Sequence, residues 1–184
     1  MFYIVIALKA EAQAFVDRYK LSKKKLKNFT FYENEEIRLI QSGVGVENSS
    51  RATQTLLDFY DMNDEDIFLN VGVCASDKKY KIGELVEIST IIYKEKIYTL
   101  NNRDKESIKC LDTSSSNIED RLVDMESFGF YEPLYYATAV KKSYMFKVVS
   151  DHFQPQQLTK EGVKSLLFNK IDAINSIIYS KDRD

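Results

Sequence analysis

The chain has no tryptophan, two cysteines and a single histidine, His152. Cys74 and Cys110 are far apart, sit in apolar contexts and form no C-x-x-C pair. A structural zinc site is therefore not expected, and both cysteines read as reduced core thiols of a cytoplasmic protein. His152 adjoins Asp151, and neighbouring side chains diverge, so no Ser-His-Asp set stands out. Two prolines and six glycines leave little material for flexible linkers, which favours one domain over residues 1–184. No run approaches the roughly 20 apolar residues of a membrane span. The N-terminus shows no charged leader or cleavage site, again an expectation of a cytoplasmic protein. A net charge of −2 gives no overall basic field to recruit nucleic acid or an anionic membrane.

What is present is ordinary for a soluble globule: 44% hydrophobic and 29% charged residues. Apolar runs at 2–7, 67–73 and 144–150 suit strands buried on both faces. Phe29 to Tyr32 and Ile37 to Ile40 read as a hairpin, and Leu85 to Tyr93, Ile97 to Leu100 and Ile108 to Leu111 as further strands. Helical spacing is predicted over Lys9–Lys20, Glu47–Tyr60, Ser127–Lys142 (with Pro133 kinking it or starting a new turn) and Gln156–Tyr179. Lys23-Lys24-Lys25 reads as a solvated basic turn or edge. Strands alternating with helices predict an α/β fold: a twisted mixed, mostly parallel central sheet flanked by helices.

Three carboxylates follow apolar runs: Glu11 after 2–7, Asp151 after 146–150, and Glu126 in Val123-Asp124-Met125-Glu126-Ser127-Phe128. Ligands of α/β proteins collect at such handovers from strand to helix. Spacing alone fits equally well three acids that start helices and favour the dipole. Ser42-Gly43-Val44-Gly45 also lies between strand and helix, where glycines let the backbone approach a ligand. Phe128 and Phe153 are candidates for lining a pocket, although aromatics in such positions are more often packing. Asp112 to Ser116 could cap a helix or touch a polar ligand.

In order along the chain, Ile6-Ala7-Leu8-Lys9-Ala10-Glu11, Ser42-Gly43-Val44-Gly45, Asn70-Val71-Gly72, Lys81-Ile82-Gly83-Glu84-Leu85-Val86, Val123-Asp124-Met125-Glu126 and Val149-Ser150-Asp151 resemble the purine nucleoside phosphorylase/nucleosidase superfamily. The most similar branch is the methylthioadenosine/S-adenosylhomocysteine nucleosidases. The resemblance implies a cytoplasmic homo-oligomer, a dimer favoured, that acts on a small nucleoside without cofactor or metal. It implies that Glu11 activates the attacking water, that Met125 and Glu126 hold the ribose, and that Asp151, oriented by Ser150, works at N7 of the purine. Val44 and Phe128 complete the expected substrate contacts. The chain departs from the pattern in three places. Val73-Cys74-Ala75 replaces a Ser-Ala-Gly loop, Lys147 replaces an arginine, and the middle is short.

The residue types fit that chemistry independently. Breaking an N-glycosidic bond builds positive charge on the sugar and negative charge on the base. An acid near the base and a base near the water then divide the work, as in inverting glycoside hydrolysis. A phosphate-dependent phosphorylase is the runner-up, disfavoured because Glu11 would repel the phosphate. A catalytically silent nucleoside-binding or scaffold protein is the third reading.

Overall fold

A computed structural model describes residues 1–101, 104–113, 121–138 and 142–181. In chain order its elements are β1 (Phe2–Ile6), α1 (Lys9–Tyr19), β2 (Ser22–Leu26), β3 (Phe29–Glu33), β4 (Ile37–Gln41), α2 (Val46–Phe59), β5 (Ile67–Ser76), β6 (Leu85–Tyr93), β7 (Lys96–Thr99), β8 (Glu106–Cys110), β9 (Leu122–Asp124), α3 (Ser127–Tyr136), β10 (Ser143–Asp151), α4 (Lys160–Phe168) and α5 (Ile171–Lys181).

Strands β4, β1, β5 and β10 lie side by side, each parallel to its neighbour, and form the centre of a mixed sheet. On one flank β3 and then β2 continue antiparallel from β4. On the other flank the sheet closes on itself: β10 pairs with β6, β6 with β8, β8 with β9, and β9 returns to β5. Strand β7 folds back on β6. The predicted mixed sheet with a parallel centre is thus present, and its closed half brings β5, β9 and β10 around one hollow.

Period-two alternation places β1 side chains on two faces. Ile4 and Ile6 pack with Phe15 of α1 and with Leu167, Ile171, Ile174 and Ile178 of α4 and α5. Tyr3 and Val5 pack with Ala52 and Leu56 of α2 and Phe130 and Leu134 of α3. Burial on both faces explains the uninterrupted apolar runs. Helix α3 lies close against α2 because residue 129 is glycine: a Cβ there would stand 2.1 Å from the Val46 carbonyl oxygen. Gly129→Ala should therefore destabilise the protein by about 3 kcal/mol, read from the denaturant midpoint. An unchanged midpoint would show that the two helices separate without cost.

The basic segment 21–27, expected as a turn or edge, is the edge strand β2, whose exposed lysines discourage pairing with another sheet edge. Two sequence expectations need correction. The closing helix is two helices preceded by a short 3-10 turn at Pro155–Gln157. Thr159 caps α4 by accepting from the Gly162 N–H at 3.0 Å, and Lys170 N–H bonds to Leu167 O in a tightened last turn before α5 restarts. Apolar residues face inward through both helices, so periodicity does not register the break. Helix α3 ends at Tyr136, short of Lys142, and Thr138 adopts a left-handed φ of 58°. Residues 139–141 of that expected helix, and 114–116 of the expected hydroxyl turn, lie outside the described residues.

Candidate active site

The C-terminal ends of β1, β5 and β10 and the β9-to-α3 junction surround a cavity of about 230 Å³. Glu11, Val44, Met125, Glu126, Ser150 and Asp151 all line it, although they lie up to 140 positions apart. Ala7, Leu8, Val73, Cys74, Ala75, Thr113, Val123, Asp124, Phe153, Pro155 and Leu158 complete the walls. Phe128 does not belong to them. It stacks on Tyr93 at 4.3 Å and against Tyr98 at 4.8 Å, outside the cavity. As the second residue of α3, it faces the β6–β7 hairpin rather than the hollow behind Glu126. Phe153 lines the cavity instead, held at a left-handed φ of 60°.

Glu11 is buried in the first turn of α1, where the chain leaves β1. Its Oε2 accepts from the Leu8 N–H and its Oε1 from the Val73 N–H, both at 2.8 Å. Gly72 leaves room for this contact, since a Cβ there would stand 3.0 Å from Oε1. Burial pushes the carboxyl up to about 7; the two N–H donors and Lys147 pull against that rise, and Glu126 adds to it.

Glu126 precedes α3, and its Oε1 accepts from the Gly45 N–H at 2.9 Å. Gly45 has φ 104°, a conformation open to glycine at no steric cost. Burial raises the Glu126 pKa, Asp124 raises it further and Lys147 opposes both. Behind them, Lys147 and Asp124 form a buried ion pair at 2.8 Å. Asp124 also accepts from the Ser127 N–H at 2.9 Å and from the Ser127 hydroxyl at 2.6 Å, which ties the start of α3 to the pair. Burial alone would lower the Lys147 pKa; Asp124, Glu126 and Glu11 outweigh it, and the net direction is upward.

At the other end, Asp151 Oδ1 accepts from the Gln154 N–H at 2.7 Å, in the turn that sets Phe153. The Ser150 hydroxyl lies 2.8 Å from Asp151 Oδ2 and 3.1 Å from the Cys74 carbonyl oxygen. Both oxygens are acceptors for that hydroxyl, which ties the Asp151 carboxyl to the end of β5. His152 turns away, its Nδ1 3.1 Å from the Ser76 carbonyl.

The altered loop has a physical consequence. Val73 holds Glu11 through its N–H and Cys74 holds Ser150 through its carbonyl, so both contacts come from the main chain and survive a change of side chain. Sequence reading missed the pairing of Asp124 with Lys147. The available signals were a lysine inside an apolar strand and a second acid in the Asp-Met-Glu stretch. Among the described residues, no group of three His, Cys, Asp or Glu side chains is placed to hold a metal ion. No described helix is long and apolar enough to cross a membrane.

No protein-family model and no curated protein sequence matches the chain. Solved structures do. A 5′-methylthioadenosine/S-adenosylhomocysteine nucleosidase from S. pneumoniae, with a transition-state inhibitor, superposes with a TM-score of 0.79 at 11% identity over 96% of this chain and 97% of that one. Futalosine hydrolase of Helicobacter pylori gives 0.77 at 13% identity, over 97% of each chain. The 5′-methylthioadenosine nucleosidase of Arabidopsis thaliana gives 0.73 at 16% identity, over 95% of each. The chain has the fold of the 5′-methylthioadenosine/S-adenosylhomocysteine nucleosidases.

Proposed function

We propose that this protein is an N-ribosyl hydrolase that cleaves the N-glycosidic bond of a purine nucleoside or thionucleoside. The observation that carries the proposal is the common cavity of Glu11, Glu126 and Asp151, with burial pushing Glu11 up to about 7 and the Ser150 hydroxyl orienting Asp151. The solved structures of this fold that bear names of nucleosidases and of a futalosine hydrolase support the same class of reaction.

In this reading, Glu126 accepts hydrogen bonds from the ribose hydroxyls and Met125 packs against the sugar. Glu11 takes a proton from water as the oxygen bonds to C1′. The bond from C1′ to the base breaks, and Asp151 delivers its proton to N7 of the leaving purine. Holding both reactants in place supplies much of the rate, and the paired acid and base supply about 10²- to 10⁴-fold for each proton moved. Val44 and Phe153 shape the walls. No cofactor takes part. Glu11, Asp124, Glu126 and Asp151 surround the cavity with Lys147 as the cation beneath them, a field that disfavours phosphate as the nucleophile.

Purified protein should release free base from 5′-methylthioadenosine or adenosine in phosphate-free buffer. Release that depends on phosphate would identify a phosphorylase, and binding without release a silent nucleoside-binding protein. A cytoplasmic homodimer belongs to the same proposal, supported by the exposed Ile97, Tyr135 and Tyr136 beside the β6–β7 hairpin. Sedimentation at 21.4 kDa instead of twice that mass would remove the dimer.

A further inference from the structure

Tyr93 ends β6 outside the cavity, yet it holds two of the cavity's sides. Its ring is 8% exposed and stacks on Phe128 at 4.3 Å, and Phe128 lies two residues after Glu126. Its hydroxyl donates to Asp112 Oδ1 at 2.7 Å, and Asp112 precedes Thr113, which lines the cavity. Lys94 braces the same bond: its ammonium lies 3.6 Å from Asp112 Oδ2 and 4.7 Å from the centre of the Tyr93 ring. One buried ring in the closed half of the sheet thus serves as the reference point for both Glu126 and Thr113.

The segment that carries Thr113 leaves β8 at Cys110, the register partner of Asp124, and the Leu111 N–H bonds to the Asp124 carbonyl at 2.9 Å. Past that bond the chain is exposed at Asp112 and Thr113, and the Asp112 side chain is held by Tyr93 and Lys94. An exposed ion pair of this kind contributes little. The orientation of the segment therefore rests on the hydrogen bond from the buried tyrosine. Resting on the nucleosidase reading, we propose that Tyr93 is a positioning residue: its hydroxyl, through Asp112, holds Thr113 in the cavity wall at a set span from Glu126. Without that bond the segment must be ordered each time a nucleoside enters. This cost falls equally on the bound ground state and the transition state, so it appears in KM. Glu11 and Asp151 stand on other elements and keep their own hydrogen bonds, so kcat is spared.

The test uses 5′-methylthioadenosine as substrate. Tyr93→Phe keeps the stacked ring and removes the hydroxyl; it should raise KM about three- to fivefold, inside the range of one hydrogen bond, with kcat unchanged. Asp112→Ala should give the same rise, and the double variant no more than either, because both substitutions remove one bond. Asp112→Asn, whose side-chain oxygen still accepts from Tyr93, should keep the wild-type KM. A wild-type KM in Tyr93→Phe, a loss in kcat in place of the rise in KM, a double variant whose effects multiply, or an Asp112→Asn variant as poor as Asp112→Ala would each overturn the proposal while the nucleosidase reading stands. If the wild type releases no base, the nucleosidase reading fails, and calorimetric binding of 5′-methylthioadenosine to the same variants decides the proposal. Non-additive weakening that Asp112→Asn escapes supports it; any other pattern, absent binding included, overturns it.

Discussion

Lys147→Met is expected to destabilise the protein by about 3–5 kcal/mol at pH 8, the cost of leaving a buried carboxylate without its counter-ion. Lys147 is 1% exposed, and its ammonium is the ionic partner of Asp124, while Glu126 and Glu11 also lie within its field. Methionine matches the length of the stem but takes the charge away. Asp124 would keep only its two bonds to Ser127. In the variant, Glu11 and Glu126 lose the cation that opposes their rise, so their folded-state pKa values climb further above the unfolded ones. The variant should therefore recover stability as pH falls, because the folded state then binds more protons. Denaturant midpoints at pH 5 and pH 8 read this directly, with the deficit smaller at pH 5. Should the single variant fail to fold, Lys147→Met combined with Asp124→Asn should fold better than it does, since both charges leave together. Lys147→Arg should keep most of the stability. Equal midpoints for wild type and Lys147→Met at pH 8 would mean that the pair contributes nothing.

The second large effect is on turnover. Asp151→Asn and Glu11→Gln should each lower kcat by about 10²- to 10⁴-fold, the range for removing a positioned acid or base, with the fold retained by circular dichroism. Glu11 also sets the pH dependence. Its carboxyl titrates at about 7, and only the ionised form accepts a proton from water. Wild-type kcat should rise as pH rises towards 7 and level off above it. The sign for stability is opposite. The folded pKa lies above the unfolded value, so the folded state holds an extra proton between about 4.5 and about 7. Wild-type stability should fall as pH rises through that window, and Glu11→Gln should lack this part of the fall. A flat rate profile from pH 5 to 8 would remove Glu11 as the base.

The residues legible from sequence share a structural cause. Glu11, in the helical turn that follows β1, and Asp151, at the end of β10, each come after a strand buried on both faces, and the parallel centre aligns those strand ends on one rim. An apolar run followed by an acid is a local signal, and parallel register turns it into a common location. The same logic placed Ser150, whereas Met125 and Glu126 follow β9, which runs antiparallel to β5 and reaches the rim through the closed half of the sheet. Strand register, however, says nothing of a helical side chain. It could not place Phe128, because a helix presents its side chains in several directions and only the partner surface, here Tyr93 and Tyr98, chooses among them. Lys147 was hidden for a related reason. Its strand reads as buried, but the acid that neutralises it lies 23 positions earlier and comes near only because the sheet closes. The split between α4 and α5 left no trace in the apolar pattern, since both helices cover the same face of the sheet.

The most direct test follows the oxygen. Wild-type protein is incubated with 5′-methylthioadenosine in phosphate-free H₂¹⁸O, and the products are weighed by mass spectrometry at early time, before the sugar exchanges its label. Hydrolysis by these residues gives adenine and one ¹⁸O on the released sugar in equal amounts, both lost in Asp151→Asn. Adenine that appears only with phosphate, or a protein that binds the nucleoside and releases no base, would contradict it.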